Sequence, residues 1–439
     1  MISYEKLAFK PYSYMWVDER GERYAWDLIS LTLNGHVIKL TNYNIYIGDK
    51  KKTKKLNKQN RDAVRRVCDF LNYVLFKNFW KYKANNIADI PFKAVQTYLD
   101  GYATTKNRFD DYPSAQSVEK ERNAICHFMA NLSAYRKDIK EHYYAMKWKS
   151  KSSQSDNVLR VHKNYECTYW NYEIQAKYIG GHKYNLIRDI PQKAIPVILK
   201  WIQLKAPDIY FAAVLQVCTG IREGEVVNVR RADSKYYGGI RYTKENGKFT
   251  SFEIDLKREY LLRSDGKDVG HIKRKRMQSV YPIFLPIIQR AYEAHLKMIK
   301  KVEIEDECPM FVTNYINRTT GKRMALTKHA YCNRVINIVE KYVIPELLTS
   351  DDTELKVFAM KMNEGNWGLH AFRHWYTVQL VLNNEDANSI AFLRGDTSTK
   401  TAFAYIQNKG ELMKRYTKVS NLISDDLIQI ISEMKDVQG

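Results

Sequence analysis

Apolar side chains in the first half of this 439-residue chain recur at the three- and four-residue spacing of a helix with one buried face. The clearest run begins near Ala63, and its apolar positions are Val64, Val67, Cys68, Leu71, Val74 and Leu75. Two more helical stretches follow: "IPFKAVQTYLDGY", with Pro91 at its start, and "SAQSVEKERNAICHFMANLSAYRKDI", capped by Ser114 or Ser117. Such helices must cover each other's apolar faces, so we predict a helical domain over residues 58–150.

Helical patterns also dominate residues 194–439, where strand-like runs interrupt them between residues 238 and 283. These runs are "GIRYT", "FTSFEIDLK" and "VGHIKRKRMQSVYPIFL". The predicted fold class is therefore mainly α with a small antiparallel β-sheet, in two domains joined by a linker at 151–193. Residues 1–57 are predicted to be an N-terminal extension that contains β-like runs, "SLTLNGHVIKL" and "YNIYIG", with a turn at "NGH".

The net charge of the chain indicates which class of binding partner to expect. There are 71 Lys and Arg against 49 Asp and Glu, a formal net charge of +22. This excess favours a polyanion, with nucleic acid the first candidate and an anionic membrane surface the second. No apolar run of about 18 residues predicts a membrane span, and no secretory pattern is found, so a cytoplasmic location is expected. The six scattered cysteines lack zinc-site spacing and are expected to be free thiols.

Two short segments combine arginine with groups that exchange protons. In "CTGIREGE" (218–225), Arg222 and Glu225 lie three residues apart and therefore share a helical face, after a glycine that permits a tight turn. In "LHAFRHWY" (369–376), His370 and Arg373 have the same spacing and can point at one anion. A guanidinium matches two phosphate oxygens, and a histidine accepts or donates a proton near neutral pH.

A third segment, "FLRGDTSTKTAFAYIQNKGELMKRY" (392–416), places Tyr405 on a predicted helix after a polar turn. A tyrosine hydroxyl has a reference pKa of about 10, so it becomes a useful nucleophile only where cations surround it and another group takes its proton. Each segment alone is common in proteins.

The order and spacing of the boxes "TGIREGE", "HAFRH" and "LRGD" followed by Tyr405 resemble those of the tyrosine recombinase (phage integrase) family. The strong resemblance covers about residues 194–420, and the bundle is similar to the family's core-binding domain. The resemblance implies a catalytic domain with a C-terminal helix at 194–439, and double-stranded DNA as partner. It also implies metal-independent DNA recombination without a cofactor, by a homo-oligomer, expected to be a tetramer on two DNA sites. A nucleoid-associated protein of a prokaryotic or phage mobile element is expected.

The family's residue roles carry over to matching positions of this chain. Arg222 and Arg373 would bind the non-bridging oxygens of the scissile phosphate, and Glu225 would support the arginines from behind. His370 would assist proton transfer from Tyr405, which would attack phosphorus and form a 3′-phosphotyrosyl bond.

The family also uses a lysine of a β-hairpin as general acid for the leaving 5′-oxygen. The spacing in "HIKRKRMQSVYP" favours Lys273, with Lys275 as the alternative. The strict alignment slot is Arg274, but a guanidinium holds its proton too tightly to serve as an acid. The basic residues expected to contact DNA are Lys52, Lys54, Lys55, Arg65, Lys147, Lys149, Lys151, Arg274 and Arg276.

One position departs from the family pattern. The slot nine residues before the nucleophile usually holds His or Trp, which can donate a hydrogen bond to the phosphate, and here it holds Asp396. An ionised aspartate would repel the phosphate. Asp396 is therefore expected to stay protonated, to pair with an arginine, or to be replaced in its role by a donor such as Arg394 or Lys400.

Two neighbouring residues are not predicted to be catalytic. His374 lies about 100° around the helix from Arg373 and is interpreted as a structural residue. Tyr416 lacks the spacing of the nucleophile. The apolar stripe of the C-terminal tail is expected to pack either on its own domain or on a neighbouring protomer.

Two alternatives to a recombinase remain open. A catalytically impaired protein of the same fold would act as an accessory DNA binder, with Asp396 marking the loss of catalysis. A type IB topoisomerase-like enzyme would relax supercoils without a partner site.

Overall fold

The computed structural model describes residues 7–47, 58–106, 110–136, 138, 189–234, 239–265, 268–304, 309–364, 367–396 and 398–407. The chain divides into two compact units. The N-terminal unit comprises Met1–Trp16 and Tyr24–Lys183, and the C-terminal unit comprises Val17–Arg23 and Tyr184–Gly439. Among the described residues, no helix has both the length and the apolar character needed to span a bilayer.

The N-terminal unit contains a three-stranded sheet in the order β1 (Leu7–Val17), β2 (Arg23–Leu33) and β3 (His36–Leu40). The turn predicted at "NGH" is confirmed: β2 pairs antiparallel with β3, and both Asn34 and Gly35 have positive φ. Two such residues form the turn that suits the twist of a hairpin. The strand predicted at "YNIYIG" is wrong, because residues 43–46 form a short 3₁₀-helix. The strand β1 was not among the predicted strand-like runs.

Four α-helices follow in the described part of this unit. Their bounds are α1 (Lys58–Asn72), α2 (Phe79–Tyr82), α3 (Phe92–Thr104) and α4 (Ala115–Tyr135). The apolar face of α1 is buried as its periodicity predicts, and Val67 and Leu71 are fully enclosed in the core of this unit. Ser114 caps α4 by accepting a hydrogen bond from the backbone N–H of Ser117, which decides between the two predicted caps.

The C-terminal unit is mainly helical. Among the residues of this unit that are described, the α-helices are α5 (Ala194–Lys205), α6 (Pro207–Thr219), α7 (Glu223–Val226), α8 (Leu285–Ile299), α9 (Lys328–Ile338), α10 (Ile344–Thr349), α11 (Thr353–Glu364), α12 (His370–Leu382), α13 (Ala387–Arg394) and α14 (Lys400–Gln407). A second three-stranded antiparallel sheet has the order β4 (Ile240–Glu245), β5 (Lys248–Asp255) and β6 (Met277–Ser279). The predicted fold class, mainly α with small antiparallel sheets, is confirmed.

The third predicted strand of this sheet is much shorter than its sequence pattern suggested. Only Met277–Ser279 pair with β5, and residues 268–276 and 280–281 lie outside the strand. The basic stretch predicted as part of a hairpin strand therefore lies mostly in the connection that leads into β6. Side chains of this connection extend to the site described below.

The helices α6 and α12 pack together at the centre of this unit and fix the position of two of the three motifs. From Ile209 to Thr219, every residue of α6 is buried. The side chain of Gln216 is central, because it donates to the carbonyl oxygen of Leu369 at 3.3 Å and accepts from the hydroxyl of Tyr331 at 2.9 Å. A buried amide with two partners holds the start of α12 against α6.

Candidate active site

The end of α6 and the first turns of α12 meet at Gly220. This residue has φ +61, and a Cβ atom there would lie 2.4 Å from the ring of Tyr376, so only glycine fits. Its carbonyl oxygen accepts a hydrogen bond of 2.5 Å from Nη1 of Arg373. Arg222 follows two residues later, at the N-terminal end of α7. The hydrogen bond from the Arg373 side chain to the Gly220 backbone thus joins the "HAFRH" box to the "TGIREGE" box.

Asp396 connects the third box to the two arginines. Its Oδ1 atom lies 2.7 Å from Nη2 of Arg373 and 3.1 Å from Nη2 of Arg222. Its Oδ2 atom lies 3.0 Å from Nε of Arg394, which is also buried. Three guanidinium groups therefore surround one carboxylate. Lys400, the other donor considered for this position, is exposed at the start of α14.

The ionisation state of Asp396 follows from this geometry. Burial alone would raise its pKa, but the charges of Arg373, Arg394 and Arg222 outweigh burial and lower the pKa below its ordinary value. Asp396 is therefore ionised at neutral pH, and of the predicted alternatives the protonated form is wrong and the arginine pair is correct. Burial and the charges of Arg222 and Arg394 lower the pKa of Arg373 to about 10, which leaves Arg373 charged at neutral pH.

Glu225 is a second carboxylate that binds arginines of the site. It is fully buried, and its carboxylate accepts from the backbone N–H of Arg222 at 3.0 Å and from Nη1 of Arg222 at 3.4 Å. Both terminal nitrogens of Arg276 also bind it, each at 3.1 Å. Burial raises the pKa of Glu225, but the hydrogen bonds and charge of Arg276, followed by those of Arg222, lower it overall. Glu225 therefore contacts Arg222, which it was predicted to support, but Arg222 is the extended N-cap residue of α7 and does not share a helical face with Glu225.

Tyr405 lies on α14, half-buried against the core of the C-terminal unit. Its hydroxyl is hydrogen-bonded to Nδ1 of His374, and the guanidinium carbon of Arg394 lies 5.9 Å from the centre of its ring. The phenol oxygen therefore has an imidazole nitrogen as hydrogen-bond partner, and a cation lies near its ring. A tyrosine nucleophile requires a group that takes its proton and cations close by.

The structure brings His374 as well as His370 to the site. The sequence predicted that His370 would assist proton transfer from Tyr405, but the imidazole hydrogen-bonded to the Tyr405 hydroxyl is that of His374, and the centres of the two imidazole rings are 5.1 Å apart. Residues four apart on a helix lie only about 40° apart around the axis, so His374 shares a face with His370 as well as lying near Arg373. That spacing was the signal that the sequence analysis missed.

His370 lies at the exposed first turn of α12. Partial burial lowers the pKa of His370 below its ordinary value. The charge of Glu223 raises this pKa, but the charges of Arg373, Arg222 and Arg394 lower it again. The imidazole is therefore neutral at pH 7, and it is available as a hydrogen-bond partner next to His374 rather than as an added cation.

The basic residues before β6 separate into different environments. Lys273 is exposed, and its ammonium group has no ion-pair partner among the residues described. Lys275 is paired with Glu22, which belongs to the C-terminal unit. Arg276 is mostly buried, and its bonds to Glu225 hold its guanidinium inside the site, which does not support the DNA contact predicted for it. The carbonyl oxygen of Arg274 accepts from Nη1 of Arg276 at 2.9 Å.

Most of the other predicted DNA contacts lie outside the described residues. These are Lys52, Lys54, Lys55, Lys147, Lys149 and Lys151. Arg65 is described, and it is exposed on α1 of the N-terminal unit. The predicted C-terminal helix and Tyr416 also lie outside the described residues.

Solved structures with similar folds were found, while no protein-family model and no curated protein sequence matches the chain. The XerH site-specific recombinase bound to its difH substrate has 14% identity and a TM-score of 0.46, over 79% of this chain and 76% of that chain. The Tn1549 transposon integrase with circular intermediate DNA has 13% identity and a TM-score of 0.44, over 83% of this chain and 94% of that one. A lambda integrase dimer bound to a core site has 10% identity and a TM-score of 0.38, over 80% and 92%.

The fold of the chain is similar to that of these recombinases and integrases. The three boxes of the sequence resemble the tyrosine recombinase family.

Proposed function

We propose that this chain is a site-specific tyrosine recombinase that cleaves and rejoins strands of double-stranded DNA, with Tyr405 as the nucleophile. One arrangement of side chains carries the proposal. The hydroxyl of Tyr405 contacts a histidine, and the guanidiniums of Arg222 and Arg373 converge on the carboxylate of Asp396. This carboxylate is also paired with Arg394, which lies beside the ring of Tyr405. The net charge of +22 supports a polyanionic partner. A tetramer on two DNA sites belongs to the same proposal.

In the proposed cleavage step, the oxygen of Tyr405 attacks phosphorus while its proton passes to Nδ1 of His374. The bond between phosphorus and the 5′-oxygen breaks, and that oxygen takes a proton from the ammonium group of Lys273. Arg222 and Arg373 stabilise the negative charge that accumulates on the non-bridging oxygens. One phosphoester bond replaces another, so the 5′-hydroxyl of a second strand can reverse the step without an external energy source.

The histidine assignment leads to a prediction. The variant His374→Gln is expected to slow covalent complex formation by about 10²–10⁴-fold, because general base catalysis contributes roughly that factor. His370→Gln is the matched control on the same helix, and a smaller loss is expected because in the described part of the chain it is His374 whose imidazole is hydrogen-bonded to the hydroxyl of Tyr405. Single-turnover cleavage of a nicked duplex measures both rates. If His370→Gln showed the large loss and His374→Gln did not, the proton acceptor would be His370.

The proposed function is tested by trapping. A pool of duplexes with a randomised site and a nick next to each candidate cleavage position releases a short fragment after cleavage, so the covalent complex cannot be religated. Wild-type protein is expected to form a complex that survives denaturing electrophoresis, and mass spectrometry is expected to place the nucleotide on the peptide that contains Tyr405.

The position of Asp396 favours a second candidate, an accessory DNA-binding protein without cleavage activity. The carboxylate lies against both arginines that would bind the phosphate. If the wild-type protein bound duplexes selected from the same pool but formed no covalent complex with any nicked version, this second function would replace the first.

A further inference from the structure

The two arginines of the site present the same pattern of bonds. Nη1 of Arg373 is held by the carbonyl oxygen of Gly220, and Nη1 of Arg222 is held by Glu225. Each guanidinium is thereby oriented by the fold through one terminal nitrogen. The remaining terminal nitrogens, both Nη2, converge on one atom, Oδ1 of Asp396, at 2.7 and 3.1 Å.

We propose that the Asp396 carboxylate occupies the place of a phosphate oxygen between Arg222 and Arg373, and that it must leave this place when a phosphodiester binds. The inference rests on the proposed function in one respect, that these two guanidiniums bind the scissile phosphate. It adds that the Asp396 carboxylate competes with phosphate for the two arginines and thereby sets the affinity of the site for phosphate.

Physical chemistry supports a competition. Carboxylate and phosphate oxygens accept the same charge-assisted bonds from guanidinium nitrogens. Two anions in contact repel each other strongly in a partly buried site, so one pair of Nη2 atoms cannot serve both at the same point. Asp396 carries its negative charge at neutral pH because the three arginines stabilise it.

The fold also provides a second position for the displaced carboxylate. Arg394 is almost fully buried, and its Nε forms an ion pair with Oδ2 of Asp396 at 3.0 Å. Neither its Nε nor its Nη1 has a hydrogen-bond partner in the part of the chain that the structure describes. A rotation of the Asp396 side chain that moves Oδ1 away from the two other arginines can therefore keep the carboxylate paired with Arg394.

The backbone at Asp396 is hydrogen-bonded to the preceding helix, so the proposed rotation is one of the side chain. The N–H of Asp396 donates to the carbonyl oxygen of Ala391 at 2.8 Å. Gly395 has φ +65, and a Cβ atom there would lie 2.3 Å from Nε of Arg276, so this residue packs directly against a neighbouring side chain. The phosphate-binding arginines are then released by a torsion and not by an opening of the loop.

The test measures the binding of inorganic phosphate by calorimetry. Asp396→Asn removes the charge and keeps the shape, and it is expected to bind phosphate about tenfold more tightly than wild type, because a hydrogen bond between neutral and charged groups replaces an ion pair that phosphate must break. Asp396→Ser is a second, smaller variant with the same expectation, which keeps the test valid if the asparagine variant folds poorly.

Asp386→Asn is the matched control. Asp386 caps α13 at the end opposite to Arg394, accepting from the N–H groups of Asn388 and Ser389 at 2.7 and 3.0 Å, and asparagine caps helices equally well. This variant makes the same change of net charge and is expected to leave phosphate affinity within twofold of wild type.

The results separate this inference from the proposed function. Unchanged phosphate affinity in both Asp396 variants would overturn the inference, even if wild-type protein formed the Tyr405–DNA complex. A tenfold gain in the Asp396 variants with no gain in Asp386→Asn would support it, even if no nicked duplex were cleaved. An equal gain in all three variants would reduce the effect to net charge and would also overturn the inference.

Discussion

Replacing Tyr405 by phenylalanine is expected to abolish the covalent protein–DNA complex completely while leaving DNA affinity within about twofold. The variant loses only the hydroxyl oxygen, which is the atom bound to His374 and the only atom of this side chain that can attack phosphorus. The ring, which packs against the core and lies near Arg394, remains. The covalent complex is measured on denaturing gels with the nicked duplex, and affinity is measured by fluorescence anisotropy with an intact one.

Tyr416→Phe is the matched control for this experiment. It makes the same chemical change eleven residues further along the chain, in a stretch without the spacing of the nucleophile, and it is expected to form the complex at the wild-type rate. A covalent complex with Tyr405→Phe that disappears in Tyr416→Phe would show that the assignment of the nucleophile is wrong.

The variant Glu225→Gln is expected to lower the free energy of unfolding by about 3 kcal/mol. Removing one partner of a buried ion pair leaves the other charge without compensation, which costs several kcal/mol. Here two partners, Arg222 and Arg276, lose their common counter-ion, and both are mostly buried. Urea denaturation of the two proteins at neutral pH measures the difference.

The ion pairs of Glu225 with Arg222 and Arg276 also predict that the stability of the fold depends on pH. The folded-state pKa of Glu225 lies below its ordinary value, so its contribution to stability is complete above the pKa of an unfolded glutamate and is lost as the pH falls through the lower, folded-state value. The difference in unfolding free energy between wild type and Glu225→Gln is therefore expected to shrink as the pH falls below about 4.3.

Glu293→Gln supplies the comparison for this prediction. Glu293 pairs with Lys244 at 2.7 Å, but both side chains are well exposed, so its loss is expected to cost less than about 1 kcal/mol. Equal destabilisation by the two substitutions, or a Glu225→Gln effect that does not change on acidification, would mean that Glu225 is not the buried ionised group inferred here.

The sequence by itself determined the features that depend on local pattern. Helical periodicity fixed α1, and the Asn-Gly pair fixed the turn between β2 and β3, because both depend on residues that are near neighbours in the chain. The boxes around Arg222, His370 and Tyr405 also predicted which residues would form the site. Their spacing carried no information about distances between the boxes.

The tertiary structure alone decided which side chains meet. His374 rather than His370 contacts Tyr405, and Asp396 pairs with arginines from two distant segments, because these contacts depend on how α12 and α14 pack and on where the turn after α13 ends. Arg276, expected to face DNA, instead binds Glu225 across 51 positions of sequence. A residue's partners over such separations follow from how the helices pack, and the local spacing of residues does not reveal that packing.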